Sequence, residues 1–266
     1  MSVYLTTIAS GSKGNCIYIG TENTKILIDA GISCSKIENA LENINLSLKD
    51  IDAIFVTHEH SDHINSVGVI SRKYNTPIYA TEGTWKNMPE KVGKINNINK
   101  KVVYQNEDIL LNDILIRPFK VPHDAKEPIC YSVFYDKTKI SIVTDIGYVT
   151  KDIIDNIKYS SALVLESNHD INMLKMCNYP PVLKERILSK YGHISNETCG
   201  KLLSCVMNNK LKNVFLAHLS RDTNTEELAY LTVSKTLEEF GIQPKKDVNI
   251  HIAKPYGITN LIKIEE

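Results

Sequence analysis

Thr57-His58-Glu59-His60-Ser61-Asp62-His63 decides how this chain is read, because positions 58 to 63 hold three imidazoles and two carboxylates. The stretch follows directly on the apolar run Ala53-Ile54-Phe55-Val56, which reads as a short buried strand. Imidazole is the commonest protein ligand for metal ions and aspartate is a hard one. Together they suit zinc, or manganese and iron where oxygen ligands dominate. His58 and His60, two apart at a strand end, project to the same side, while Asp62 and His63 fall where the chain turns into a helix. One short segment can therefore feed two neighbouring ions. Glu59 points away from the two histidines in an extended stretch and stays outside the ligand set. The alternative, a polar loop of solvated histidines, seldom produces the H-x-H-x-D-H spacing.

Outward from this segment, periodicity places the other elements. Upstream, strands over 3–9, 16–19 and 25–29 form a meander, punctuated by the glycines of Ser10-Gly11-Ser12-Lys13-Gly14-Asn15, and Ser33 caps an amphipathic helix to about position 43. Downstream, 64–74 reads as one helix, 78–80 as a strand and 91–101 as a polar surface loop. A second meander follows over 109–111, 114–119, 129–135 and 139–144, with a tight turn at 136–138. From 150 onward, strands at 162–165 and 214–217 alternate with helices at 180–190, 196–207 and 226–240, and 248–252 is the last strand expected. Two β-rich halves flanked by helices predict a four-layer αββα sandwich of the α/β class. No linker or fixed-period repeat divides it, so residues 1–266 are expected to form one domain.

Composition narrows the function classes. The 266 residues, 42% hydrophobic and 23% charged, suit a globular protein with a sizeable core. The 31 basic and 31 acidic side chains cancel, so any phosphate-binding site must be local rather than a global positive field. The start has no basic region followed by an apolar one, and no apolar run approaches the roughly 20 residues of a membrane span, so a cytoplasmic protein is expected. The six cysteines lack a C-x-x-C pair and read as reduced thiols packed as small hydrophobes rather than as a zinc knuckle.

His58-Glu59-His60-Ser61-Asp62-His63 resembles the signature of the metallo-β-lactamase superfamily, and the acids and histidines that family needs occur in order along nearly the whole chain. The resemblance implies a binuclear centre. His123, in Val121-Pro122-His123-Asp124, joins His58 and His60 at the first ion. Asp62, His63 and His218 serve the second, and Asp145, in Ile142-Val143-Thr144-Asp145-Ile146-Gly147, bridges the two. Asp29, ending Ile26-Leu27-Ile28-Asp29, is expected to orient a ligand through a hydrogen bond. The family's lactamases usually carry cysteine where Asp145 stands, so the aspartate points to the phosphodiesterase, nuclease and thioesterase branches. Ser10-Gly11-Ser12-Lys13-Gly14-Asn15-Cys16, Leu165-Glu166-Ser167-Asn168-His169-Asp170 and Gly192-His193-Ile194-Ser195-Asn196-Glu197 are similar to the YycJ/WalJ-type subgroup, which implies a 5′–3′ DNA exonuclease. Lys13 departs from the serine of that pattern and adds a cation.

The implied cofactors are two divalent ions, zinc or manganese and possibly iron, which would bring a shared water toward neutral pKa and supply the attacking hydroxide. Asp62, Asp145 and His193 form the expected catalytic set, and nucleic acid, DNA rather than RNA, is the expected partner. Ser195 or Asn196 caps the next helix, whose free N–H groups suit a phosphate, with His193 and Arg221 as substrate-phosphate contacts. His193 also admits a structural reading, and the 11–14 loop reads as a plain turn. Glu166 and His169 line the cleft or sit on a surface loop, and His251 is structural. The rival functions are a thioester or lactone hydrolase resembling glyoxalase II, a cyclic-nucleotide or small-molecule phosphodiesterase, and a binding module without turnover. A complete ligand set weighs against the last.

Overall fold

Runs such as Lys25–Ile28 and Ala162–Glu166 are apolar on both faces because each strand lies between two apolar layers. The computed structural model describes residues 2–265 and contains two seven-stranded sheets. Chain order fills the first with β1 (Val3–Ala9), β2 (Cys16–Gly20), β3 (Lys25–Ile28), β4 (Ala53–Phe55), β5 (Ile78–Ala80) and β6 (Lys100–Val102). The second holds β7 (Ile109–Leu111), β8 (Ile114–Lys120), β9 (Ile129–Tyr135), β10 (Thr138–Val143), β11 (Ala162–Glu166), β12 (Asn213–Ala217) and β13 (Asn249–Ile252). β14 (Thr259–Ile264) then returns to the first sheet beside β1, with Val3 opposite Ile264.

Each sheet begins as an antiparallel meander and continues parallel. β1 to β3 and β7 to β10 run antiparallel, and β3 to β6 and β10 to β13 run parallel. The connections carry α1 (Cys34–Glu42), α2 (Ser61–Ile64), α3 (Val67–Tyr74) and α4 (Glu82–Asn87) in the first half. In the second they carry α5 (Lys151–Ile157), α6 (Ile171–Met176), α7 (Pro181–Leu188), α8 (Asn196–Val206) and α9 (Glu226–Glu239).

Alternate residues of one strand serve different layers. Ile26, Ile28 and Phe55 meet Tyr131, Ile142, Val164 and Phe215 between the sheets. Leu27 and Ile54 face Ile37, Leu41, Val67 and Ile70 of α1 and α3. On the far side Leu163, Leu165, Val214 and Leu216 face Ile153, Leu203, Val233 and Leu237 of α5, α8 and α9. The result is the four-layer αββα sandwich, and each such side chain buried contributes about 1.5–3 kcal/mol. No two of the six cysteines are bonded.

The structure departs from the expected elements where the pattern was short or polar. The 64–74 helix is broken, since the Ser66 N–H bonds Ala30 O at 2.9 Å, leaving α2 as a separate turn. The 91–101 loop ends in β6, an edge strand whose three side chains are all exposed and show no alternation. β14, beyond the strand expected to be last, is likewise an edge, with half of its residues exposed. The short α4, α5 and α6 were not foreseen, although Thr81, Thr150 and Asp170 cap them by accepting from the third residue on. Ser33 stands at the N-cap of α1 without a side-chain capping bond.

Candidate metal centre

The parallel strands of both halves deliver their chemistry at their C-terminal ends. Asp29 follows β3, His58 follows β4 by a short loop, Asp145 follows β10 and His218 follows β12. Asp29, Asp145 and His218 all have left-handed backbone, at φ 61°, 58° and 56°. This conformation costs an L residue about 1–2 kcal/mol, and here it turns each side chain out of its strand direction. His58 and His60 lie in the loop after β4 rather than on the strand itself, His60 being the N-cap of α2, and their rings sit 4.6 Å apart. Asp62 and His63 occupy the first turn of α2, and His123 lies just beyond β8.

These residues assemble into two donor groups. Nitrogens of His58, His60 and His123 lie together, as do donors of Asp62, His63 and His218, and Asp145 is close to His58 of the first group and to His63 and His218 of the second. The separations are 3.0 Å for His58 Nε2 to His60 Nδ1, 3.4 Å for His63 Nε2 to Asp62 Oδ2, 3.3 Å for His63 Nε2 to Asp145 Oδ2 and 3.5 Å for His218 Nε2 to Asp145 Oδ1. Ligands about 2.1 Å from one ion lie roughly 3.0–3.4 Å from each other in tetrahedral or octahedral arrangement, so most of these spacings suit a common ion. Asp145 Oδ2 and His218 Nε2 are fully buried without a hydrogen-bond partner. Left that way, each costs about 1–3 kcal/mol, which a bound cation would relieve.

A surrounding shell holds the donors. Asp29 accepts from the Thr57 N–H at 2.8 Å, from Thr57 Oγ1 at 2.8 Å and from His63 Nδ1 at 2.7 Å, which leaves His63 Nε2 facing the centre. The bond to His63 is the kind of hydrogen bond expected of Asp29. Glu166 reaches His193 Nδ1 at 2.7 Å and His218 Nδ1 at 3.1 Å, and also accepts from the Ile146 N–H. Asn15 donates to Asp62 Oδ2 at 3.3 Å, and its Nδ2 lies 3.1 Å from His63 Nε2.

Glu166 and His169 are buried, which excludes the surface-loop reading of both. The 11–14 loop is more than a plain turn: the Gly11 N–H bonds Asn15 Oδ1, and the Asn15 N–H bonds Asp62 O at 2.7 Å, so the loop braces α2. The sequence singled out Glu166 only as a residue of the cleft or of a surface loop and gave Asn15 no role of its own, since each is defined by partners distant along the chain. Glu59 points away as expected, accepting from the Lys126 N–H at 2.8 Å. His251 stacks on Phe215 and bonds Asn213, in keeping with a structural role. Asp124, which had no expected role, lies 3.3 Å from His123 Nε2 and takes Arg186 Nε at 2.6 Å. Arg221 flanks the His218 end without a bond to the cluster. Its guanidinium lies over the Tyr256 ring, near Lys13.

Electrostatics divides the histidines. Burial alone would depress His63 and His218, but Asp29, Asp145 and Asp62 hold His63 well above the usual imidazole value, and Asp145, Asp62 and Glu166 lift His218 to about 10. Burial, with the charge on His63 added, pushes His58 well below it, and burial lowers His123 as well. Burial would raise Asp62, Asp145 and Glu166, yet the neighbouring imidazoles keep all three low, Glu166 at about 2. A cleft of about 460 Å³, lined by Lys137, Thr138, Ser161, Lys210 and Lys212, opens where β10 to β12 begin, at the far end from these groups.

The metallo-beta-lactamase superfamily profile matches residues 9–218. The chain belongs to this superfamily. An exodeoxyribonuclease, YycJ of Bacillus anthracis, is 41% identical over 96% of the chain and 97% of its own length. A second, WalJ of Streptococcus pneumoniae, is 37% identical over 97% of the chain and 96% of its own. Among solved structures, the metallo-beta-lactamase fold protein YhfI from Bacillus subtilis superposes with a TM-score of 0.74 at 15% identity, covering 98% of the chain and 99% of its own, which speaks to the fold alone. Metallo-beta-lactamase proteins generally use divalent ions, and the buried carboxylate–imidazole donors fit that chemistry. No helix among the described residues is long and apolar enough to cross a membrane.

Proposed function

We propose that the chain is a metal-dependent exodeoxyribonuclease of the metallo-beta-lactamase superfamily, working 5′ to 3′ with two zinc or manganese ions, as one cytoplasmic domain spanning 1–266. The observation that carries this reading is Asp145, a buried carboxylate between two three-donor groups, in a chain 41% identical to an exodeoxyribonuclease over nearly its whole length. His58, His60 and His123 would hold one ion, Asp62, His63 and His218 the other, with Asp145 shared. Such ions bring a water's pKa toward 7 and neutralise charge building on phosphorus-bound oxygens.

The remaining work falls to side chains. Glu166 accepts from Nδ1 of His193 and from Nδ1 of His218 and so fixes both rings. Ring Nε2 of His193 is then the atom left for a phosphate oxygen, with Arg221 and Lys13 as further cations on the His218 flank. Asp62 and Asp145, held ionised, keep the centre anionic and able to retain cations.

The deciding experiment supplies protein reconstituted with zinc or manganese with end-labelled single- and double-stranded DNA, RNA, bis(p-nitrophenyl) phosphate and a thioester. Stepwise shortening of DNA from its 5′ end is expected. Rapid thioester hydrolysis with every nucleic acid left intact would overturn the nuclease reading in favour of an acyl hydrolase.

A further inference from the structure

A cleft of about 380 Å³ opens beside the centre, with His123 in its wall and two lysines, Lys120 and Lys126, one carboxylate, Asp152, and the rings of Tyr148 and Tyr191 around it. Three separate tethers shape it. The Gly147 N–H bonds Pro122 O at 2.8 Å, the Asp124 N–H bonds Tyr191 O at 3.1 Å, and the Lys126 N–H is held by Glu59. A side chain at Gly147 would meet Lys190 O at 2.2 Å, so only glycine lets the backbone next to Tyr148 approach the backbone next to Tyr191 so closely. The two phenol rings are 46% and 58% exposed. Among the described residues neither is stacked on another ring or cation, unlike Tyr256, whose ring already carries both Lys36 and Arg221.

Aromatic faces next to ammonium groups are how proteins hold single-stranded nucleic acid, the bases stacking and the phosphates meeting the cations. An apolar metabolite has no use for Lys120 and Lys126. A paired base inside a duplex cannot reach a recess of this kind without leaving its stack. We propose that the cleft receives the unpaired terminal base of a DNA strand, stacked on Tyr148 and Tyr191, while its phosphate lies toward His123. The proposal rests on the nuclease reading and deepens it: the enzyme takes a frayed end one nucleotide at a time.

The test pairs Tyr148→Ala, Tyr191→Ala and the double variant with oligonucleotides that carry a normal or an abasic terminal nucleotide. Each single alanine is expected to raise KM on the normal substrate about tenfold, and the double about a hundredfold, the range seen for lost base stacking. The abasic substrate should cost the wild type a similar factor and the double variant almost nothing. The Phe variants should restore the wild-type KM, with metal content and melting temperature unchanged throughout. Equal KM for alanine variants and wild type, or equal sensitivity of both to the abasic end, overturns the proposal. If the wild type cleaves no DNA, binding of fluorescein-labelled oligo(dT) to the chelated protein decides separately: tyrosine-dependent binding keeps the cleft assignment while the nuclease reading falls, and tyrosine-independent binding or none ends the assignment too.

Discussion

Asp145 lies 3.3 Å from His63 and 3.5 Å from His218 in one donor group and 3.9 Å from His123 in the other, so its loss is felt by both groups at once. Asp145→Ala is expected to lower turnover at least a thousandfold and to leave the protein with fewer than two ions. His193→Ala should keep both ions and lose about a hundredfold or more on DNA, the scale of losing one oriented contact to a developing oxyanion. Elemental analysis beside single-turnover kinetics separates the two. An active Asp145→Ala protein, or a His193→Ala protein stripped of metal, contradicts the roles given. The pKa directions add a second expectation. His63 lies well above the usual imidazole value and His218 near 10, so at pH 7.5 both carry a proton that an incoming ion must displace. Loading the metal-free protein should then release about two protons per chain, and apparent affinity should rise with pH until those groups have titrated. A pH-stat titration with zinc measures the release, and a pH-independent affinity would refute the charge assignment. The 58–63 segment stood out in the sequence because five ligand-type side chains in six positions have few other uses, whereas His123, Asp145 and His218 were singled out through the family resemblance. Asn15 did not stand out, and Glu166 did so only as a residue of the cleft or of a surface loop, since a buried glutamate and a loop asparagine acquire their partners, His193, His218 and Asp62, only from the fold.

At the level of the elements, left-handed residues fall into two sorts. Asp29, Asp145 and His218 hold side chains at the centre, and their strain is tied to the site. Tyr159, φ 64° and 71% exposed in the turn between α5 and β11, holds no side chain at the centre. Tyr159→Gly is therefore expected to stabilise the protein by about 0.5–1 kcal/mol, since the relief of about 1–2 kcal/mol is partly offset by the freer unfolded chain. The melting temperature should rise by about 2 °C, and a fall would show that the ring contributes packing the turn depends on. The buried parallel strands could be read ahead of the structure because their apolar runs are continuous. β6 and β14 could not, because edge strands are polar and one-sided. The 64–74 helix was misjudged because Ser66 gives its N–H to Ala30 rather than to the helix, a bond to another segment that no periodicity reports.

Across the whole molecule the charges cancel, yet Lys13 and Arg221 stand on one flank of the centre and Lys120 and Lys126 on the other. Binding of DNA is expected to weaken about tenfold or more between roughly 50 and 200 mM salt, because a few phosphate contacts suffice for a steep counterion-release slope. Anisotropy of labelled DNA on the chelated protein gives that slope, and a flat response would leave the flanking cations without a part in binding.

The donor groups also straddle the sandwich. His58 and His60 come from the first sheet and His123 from the second, while Asp62 and His63 face His218 and Asp145 across the same divide. An ion seated there acts as a cross-link between distant parts of the chain, confining the denatured ensemble as a disulfide does when it closes a long loop. At a thousandfold excess over Kd, each ion adds about 4 kcal/mol to the folded state. Chelation should therefore lower the calorimetric melting temperature by about 10 °C or more, and an unchanged melting point would mean the sheets hold without the ions. In a cell starved of the metal, the loss of activity would then be followed by loss of the molecule itself, which opens more readily along the seam between its halves and is exposed there to proteases.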